Sequence, residues 1–135
     1  MNMKKWIIAS LVVFVTFELT NFLIHSFVLS GCYDVTASLW RPNMMEVMWL
    51  MTLSDLLFSF VFVYVFQKGY EGKGVLEGIR FGCVISLLMI IPGLINQYVV
   101  YPIPDSLLIR WLLTGIPQIL ICGMVAALIY KPKSK

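Results

Sequence analysis

The sequence predicts an all-α polytopic integral membrane protein, a single domain over residues 1–135 in which four transmembrane helices form an antiparallel bundle with both termini cytoplasmic. Three observations carry that prediction. Of the 135 residues, 60% are hydrophobic and only 13% charged, whereas charged residues make up about 25% of ordinary soluble domains. The apolar residues gather in four runs, each long enough to cross a hydrocarbon layer as a helix. The basic residues stand at the ends of those runs and mostly on one side.

The first run covers residues 6–29 and follows Lys4-Lys5. Within it Glu18, Asn21 and His25 recur at i, i+3 and i+7, which places them on one helical face. Its end, Leu29-Ser30-Gly31-Cys32, resembles the cleavage site of a bacterial lipoprotein. However, the apolar stretch exceeds the roughly 7–15 residues of a secretory signal, and three polar residues interrupt it, so a retained helix is expected.

The second run, residues 45–66, repeats the helical spacing with Thr52, Asp55 and Ser59. The third, 75–100, carries a stripe of mostly small residues, Gly78, Gly82, Ser86, Met89, Gly93 and Asn96, which lets a neighbouring backbone approach closely. Pro92-Gly93 should free backbone carbonyls in its outer part. The fourth, 107–130, presents Gly115, Gln118, Cys122 and Ala126 on one face. Turn-forming residues separate the runs: Gly31 and Asp34, Arg41-Pro42-Asn43, the segment Lys68-Gly69-Tyr70-Glu71-Gly72-Lys73-Gly74, and Pro102-Ile103-Pro104-Asp105.

Short cytoplasmic loops retain Lys and Arg. Lys4, Lys5, Lys68, Lys73, Arg80, Lys131, Lys133 and Lys135 fall on one side and only Arg41 and Arg110 on the other, so the termini and the glycine-rich loop are expected in the cytoplasm. Trp6, Tyr70 and Tyr130 fit one interfacial belt; Trp40, Trp49, Tyr98, Tyr101 and Trp111 fit the other. A multi-pass protein of a bacterial-type inner membrane is the resulting expectation.

At about 1.5 Å per residue, Glu18 lies about 18 Å from Trp6, Asp55 about 16 Å from Phe66 and Gln118 about 18 Å from Tyr130, so the three should meet near mid-membrane. Asn21, His25, Asn96 and Thr114 form a second layer nearer the outside, with Glu46 and Arg110 at its mouth. The inner half is nearly all apolar. A polar pocket opening outward above an apolar plug is therefore expected.

Ionisable residues at the centre of a span cost about 2.5–3.5 kcal/mol each on insertion scales, which makes them functional candidates. Two carboxyls at one depth tend to share a proton or a cation. The candidate ligand- or proton-binding set is accordingly Glu18, Asn21, His25, Asp55, Asn96 and Gln118. The alternative is that these groups only bind helix to helix. His25 stands alone, and such a histidine is more often a hydrogen-bonded structural residue than a ligand; the sequence names no metal. Cys32, Cys83 and Cys122 form no CxxC pair, the segment 69–74 lacks a phosphate-binding pattern, and no nucleophile accompanies the acids. No cofactor, no catalytic activity and no nucleic-acid partner are expected; the bilayer is the evident partner.

In helix count, chain length and the position of Glu18 on the first helix, the chain resembles the small multidrug-resistance transporters, which act as dimers. That likeness implies a small cation- or proton-coupled carrier and a homo-oligomer, and the glycine stripe of the third run offers a second interface for a homodimer. Its other segments carry none of that family's motifs. The competing expectation is an accessory or assembly subunit of a larger membrane complex.

Overall fold

A computed structural model of the chain describes residues 2–130, and it is helical throughout, with no strand among those residues. Lys131, Lys133 and Lys135, used above for orientation, lie outside the described residues. Four helices are long and apolar enough to cross a membrane: α1 (Met3–Val28), α3 (Met44–Lys68), α4 (Val75–Val100) and α5 (Asp105–Ile129). A short helix, α2 (Ser30–Val35), follows α1.

The side chain of Asn2 caps α1 by accepting the Lys5 N–H at 3.1 Å. Its last turn, Ile24–Val28, is π-helical, with the Leu29 N–H reaching back five residues to the Ile24 carbonyl at 3.0 Å. A second π turn, Ser86–Ile90, interrupts α4 just before Pro92. Proline has no N–H for the Leu88 carbonyl and its ring presses on that group, and the widened turn relieves both problems.

Each π turn has a consequence that the residue spacing could not show. One extra residue in a turn shifts the phase of everything beyond it by about 100°. In α4 the stripe is therefore split. Gly78 and Gly82 face α5, where a Cβ on Gly78 would run into the Gly123 carbonyl and one on Gly82 would meet the Leu120 Cα at 2.9 Å. Met89 within the π turn and Asn96 beyond it are exposed, and nothing lies within 4 Å of the Cβ position of Gly93. The near half of the glycine stripe is thus occupied by α5 of the same chain.

The helices join at one level in a main core. There Ala9 and Val13 of α1, Phe62, Val63 and Phe66 of α3, Ile85 of α4 and Ile119, Cys122, Ala126 and Ala127 of α5 are buried together with Tyr130. Phe81 of α4 packs edge-on against Phe62 and Phe66, with ring centroids at 4.8 and 5.4 Å, and this links α3 to α4. Trp6 adds a hydrogen bond from its indole N–H to the Phe60 carbonyl at 3.1 Å. At the opposite end Leu29, Ile103 and Leu107 form a small second cluster, covered by Ile24, Cys32, Tyr33, Trp40 and Trp111. The outer surface is apolar along its length: Leu19, Phe22, Leu57, Val84, Leu87 and Leu113 are all more than half exposed.

Four helical hydroxyls are satisfied within their own helices, whereas those of Ser10 and Ser86 are buried without a partner. Thr16, Thr20, Ser59 and Thr114 donate to the carbonyls of Val12, Thr16, Asp55 and Arg110, respectively, at 2.7–2.9 Å. This back-bonding removes their protons from any other use.

Candidate functional site

Four of the six candidate residues come together where α1, α3 and α5 meet. The carboxyl groups of Glu18 and Asp55 are near enough to interact electrostatically. Asn21 donates from Nδ2 to Asp55 Oδ2 at 3.2 Å. Gln118, only 7% exposed, donates from Nε2 to Asn21 Oδ1 at 2.7 Å, to Thr20 Oγ1 at 2.9 Å and to the Phe17 carbonyl at 3.3 Å. Glu18 Oε1 is buried without a hydrogen-bond partner. Each helix contributes by its ordinary periodicity: Asn21 stands one turn beyond Glu18, and Gln118 one turn before the buried Cys122.

Chemically, the cluster has an excess of acceptors. Two carboxyls this close carry a proton between them or gather around a cation, because two bare negative charges in a poorly solvated place repel strongly. Asn21 and Gln118 fix the position of the Asp55 side. Among the described residues no three His, Cys, Asp or Glu side chains converge as a metal site, so the ligand set here is two carboxyls and amides, oxygen donors suited to a proton or a hard or ammonium-type cation.

The remaining two candidates are placed elsewhere. His25 lies in the π turn that begins at Ile24, two turns beyond Glu18; it is exposed, and its Nδ1 lies 2.6 Å from the Tyr33 hydroxyl, with the two rings stacked at 5.7 Å. Tyr33 in turn accepts from the Trp111 indole N–H at 3.0 Å and packs edge-on against Trp40 at 5.6 Å. Burial pushes the Tyr33 hydroxyl above its usual range, and the Trp111 hydrogen bond works against that shift. Asn96 is exposed on α4 beyond the second π turn. Of the expected mouth, Glu46 accepts from Asn43 at 3.4 Å and Arg110 is exposed.

The expected pocket opening towards the loops has a different form. The polar groups fill the space between the helices with mutual hydrogen bonds. The loop end of α1 and α5 is covered by the small cluster around Leu29, Ile103 and Leu107. A groove of about 240 Å³ instead runs along the side of the bundle between α1 and α5, and Gln118 lies in its wall. A larger apolar groove of about 470 Å³ lies between Trp6 and α3.

Two further residues have roles that the sequence reading missed. Tyr33 gave no signal, because its contacts depend on α2 folding back over α1. Glu77 did give one: it is the third residue of α4 after Gly74, a position from which a glutamate characteristically reaches back to free N–H groups. Its two carboxylate oxygens accept the N–H groups of Glu71 at 2.6 Å and Lys73 at 2.8 Å. Gly72 and Gly74, at φ +80° and +71°, supply the left-handed turns that aim those groups inward. The loop therefore already holds an anion of its own. Lys73 also pairs with Glu71 and holds that exposed carboxyl below its usual value.

No known family model, curated protein or solved structure matches the chain, so its function rests on the arrangement just described.

Proposed function

We propose that this chain is a multi-pass protein of a bacterial-type inner membrane, with α1, α3, α4 and α5 inserted antiparallel and both termini cytoplasmic, that binds a proton or a cation at the Glu18–Asp55 pair as a small carrier or ligand-binding protein without catalytic activity. The insertion follows from an apolar exterior on helices about 37–39 Å long, enough to span a hydrocarbon core of about 30 Å with some tilt. The single observation that carries the site is the meeting of two carboxyls from different helices, one of them with a buried oxygen that has no partner.

The test uses purified protein in lipid nanodiscs, with methylammonium as the probe. Wild type should release about one proton per chain as the ammonium takes the proton's place between the carboxyls. Glu18→Gln and Asp55→Asn should each abolish that release while the protein remains folded. Unchanged release in both variants, or none in wild type, rejects the reading.

One observation favours a second reading, an accessory subunit or homo-oligomer: Asn96 presents an exposed amide beside open space at Gly93, on a face otherwise suited to lipid. Co-purification in mild detergent, lost in Asn96→Leu, would support it.

A further inference from the structure

The apolar groove beside Trp6 follows one face of α3. Leu53, Leu57, Val61 and Tyr64 line it at helical spacing, and all four are exposed on the side of the bundle. From Leu53 to Tyr64 is about 16 Å at about 1.5 Å per residue, close to half of a hydrocarbon core of about 30 Å, so the groove runs the depth of one leaflet. Its walls are apolar, and the indole N–H of Trp6 already donates to the Phe60 carbonyl. The end of the groove differs. Lys68, one turn past Tyr64 on the same face, holds its ammonium 5.1 Å from the centroid of the Tyr64 ring. The acids of the adjoining loop are engaged elsewhere, since Glu71 pairs with Lys73 and Glu77 accepts the loop amides. Among the described residues no carboxylate pairs with Lys68.

We infer that the groove seats one acyl chain of an anionic phospholipid, with Lys68 holding the phosphate. The inference takes from the proposed function only the insertion of the helices in a bilayer; the carboxyl pair has no part in it. An occupant complementary to this surface brings one leaflet's depth of hydrocarbon and, at its end, a negative charge. A zwitterionic lipid carries its own ammonium beside the phosphate, where it competes with Lys68 and is repelled by it. Phosphatidylglycerol carries the phosphate charge alone. Trp6 and Tyr64, ring systems suited to the headgroup level, stand at the same end as Lys68.

Native mass spectrometry of the full chain in detergent micelles, titrated with phosphatidylglycerol or with phosphatidylcholine of the same acyl chains, tests this. Wild type is expected to retain one phosphatidylglycerol per chain, at about fivefold lower lipid concentration than phosphatidylcholine, the preference that one lysine at a lipid surface supplies. Lys68→Gln should erase the preference and Lys68→Arg should keep it. Arg80→Gln removes an equal charge from α4, outside the groove, and should leave the preference intact. Leu57→Trp fills the groove at an exposed position and should weaken retention of phosphatidylglycerol by about tenfold. Equal retention of the two lipids by wild type, or unchanged retention in Leu57→Trp, overturns the inference. So does an equal loss of preference in Lys68→Gln and Arg80→Gln, which would assign it to general surface charge. Extraction of the chain from membranes by alkaline carbonate would remove the insertion and the lipid site together, whereas an inserted chain without the preference loses the lipid site alone.

Discussion

Gln118 donates a hydrogen bond to Asn21 at 2.7 Å, and through it α5 is tied to the carboxyl pair that α1 and α3 share. With the bonds from Gln118 to Thr20 and Phe17 it joins α5 to α1 across apolar packing, so it positions the site as well as stabilising the bundle. Gln118→Leu should lower stability by about 0.6–2 kcal/mol, the range for hydrogen bonds between helices in lipid. It should also loosen the cation response. Unfolding by steric trapping, alongside the methylammonium assay, would show both; a stability loss with an unaltered proton release would mean the bond is only a fastening.

Gly78 and Gly123 touch through their backbones, and neither position has room for a methyl group. Gly78→Ala should therefore cost about 1–3 kcal/mol by forcing α4 from α5. Gly93→Ala, with open space around it, should be neutral or stabilising by up to about 1 kcal/mol, since alanine is the better helix former. Thermal unfolding in a single detergent would rank the two, and equal losses would contradict the packing described.

Pro92→Ala restores the missing N–H. The π turn at Ser86–Ile90 should then relax to an α-helix and rotate the outer half of α4 by about 100°. A spin label at Asn96, measured against one on Leu113, would report the rotation as a changed distance distribution; an unchanged distribution would assign the π turn to some other cause.

Glu77→Ala removes the carboxylate that gathers the Glu71 and Lys73 amides. Hydrogen bonds to charged groups are worth about 1.5–3 kcal/mol, so exchange at those two amides should speed up by one to two orders of magnitude. Glu77→Gln should fall between, since its amide can accept only one of the two bonds.

The Glu71 carboxyl should titrate below its ordinary value of 4.5, because Lys73 and then Arg80 favour the charged form. The sign follows: the pair's small contribution is present above the ordinary value and is lost as pH falls through the depressed one. Lys73→Met should bring the midpoint back up, as read by carboxyl carbon shifts in NMR.

Hydropathy and helical spacing made most of the architecture legible. The runs 6–29, 45–66, 75–100 and 107–130 lie within three residues of the helices Met3–Val28, Met44–Lys68, Val75–Val100 and Asp105–Ile129. The same arithmetic of 1.5 Å per residue placed Glu18, Asp55 and Gln118 at one level. It failed for Asn96, which lies beyond a π turn, where extrapolating about 3.6 residues per turn puts the side chain on the wrong face, and for His25, which pairs with Tyr33 of the loop helix. The Pro92 cue was present in the sequence; the turn at Ile24–Val28 had no comparable mark. The loop contacts of Tyr33 were not legible, since they depend on how a six-residue helix folds over its neighbour.

The Tyr33 hydroxyl has one proton and two neighbours. An indole N–H can only give, so towards Trp111 the phenol oxygen must receive. Towards His25 Nδ1 the hydroxyl donates when the ring hydrogen sits on Nε2 and accepts when it sits on Nδ1. A metal ion binding through Nδ1 would have to unfasten α2 from α1, so the contact with Tyr33 makes the histidine a latch for the loop helix.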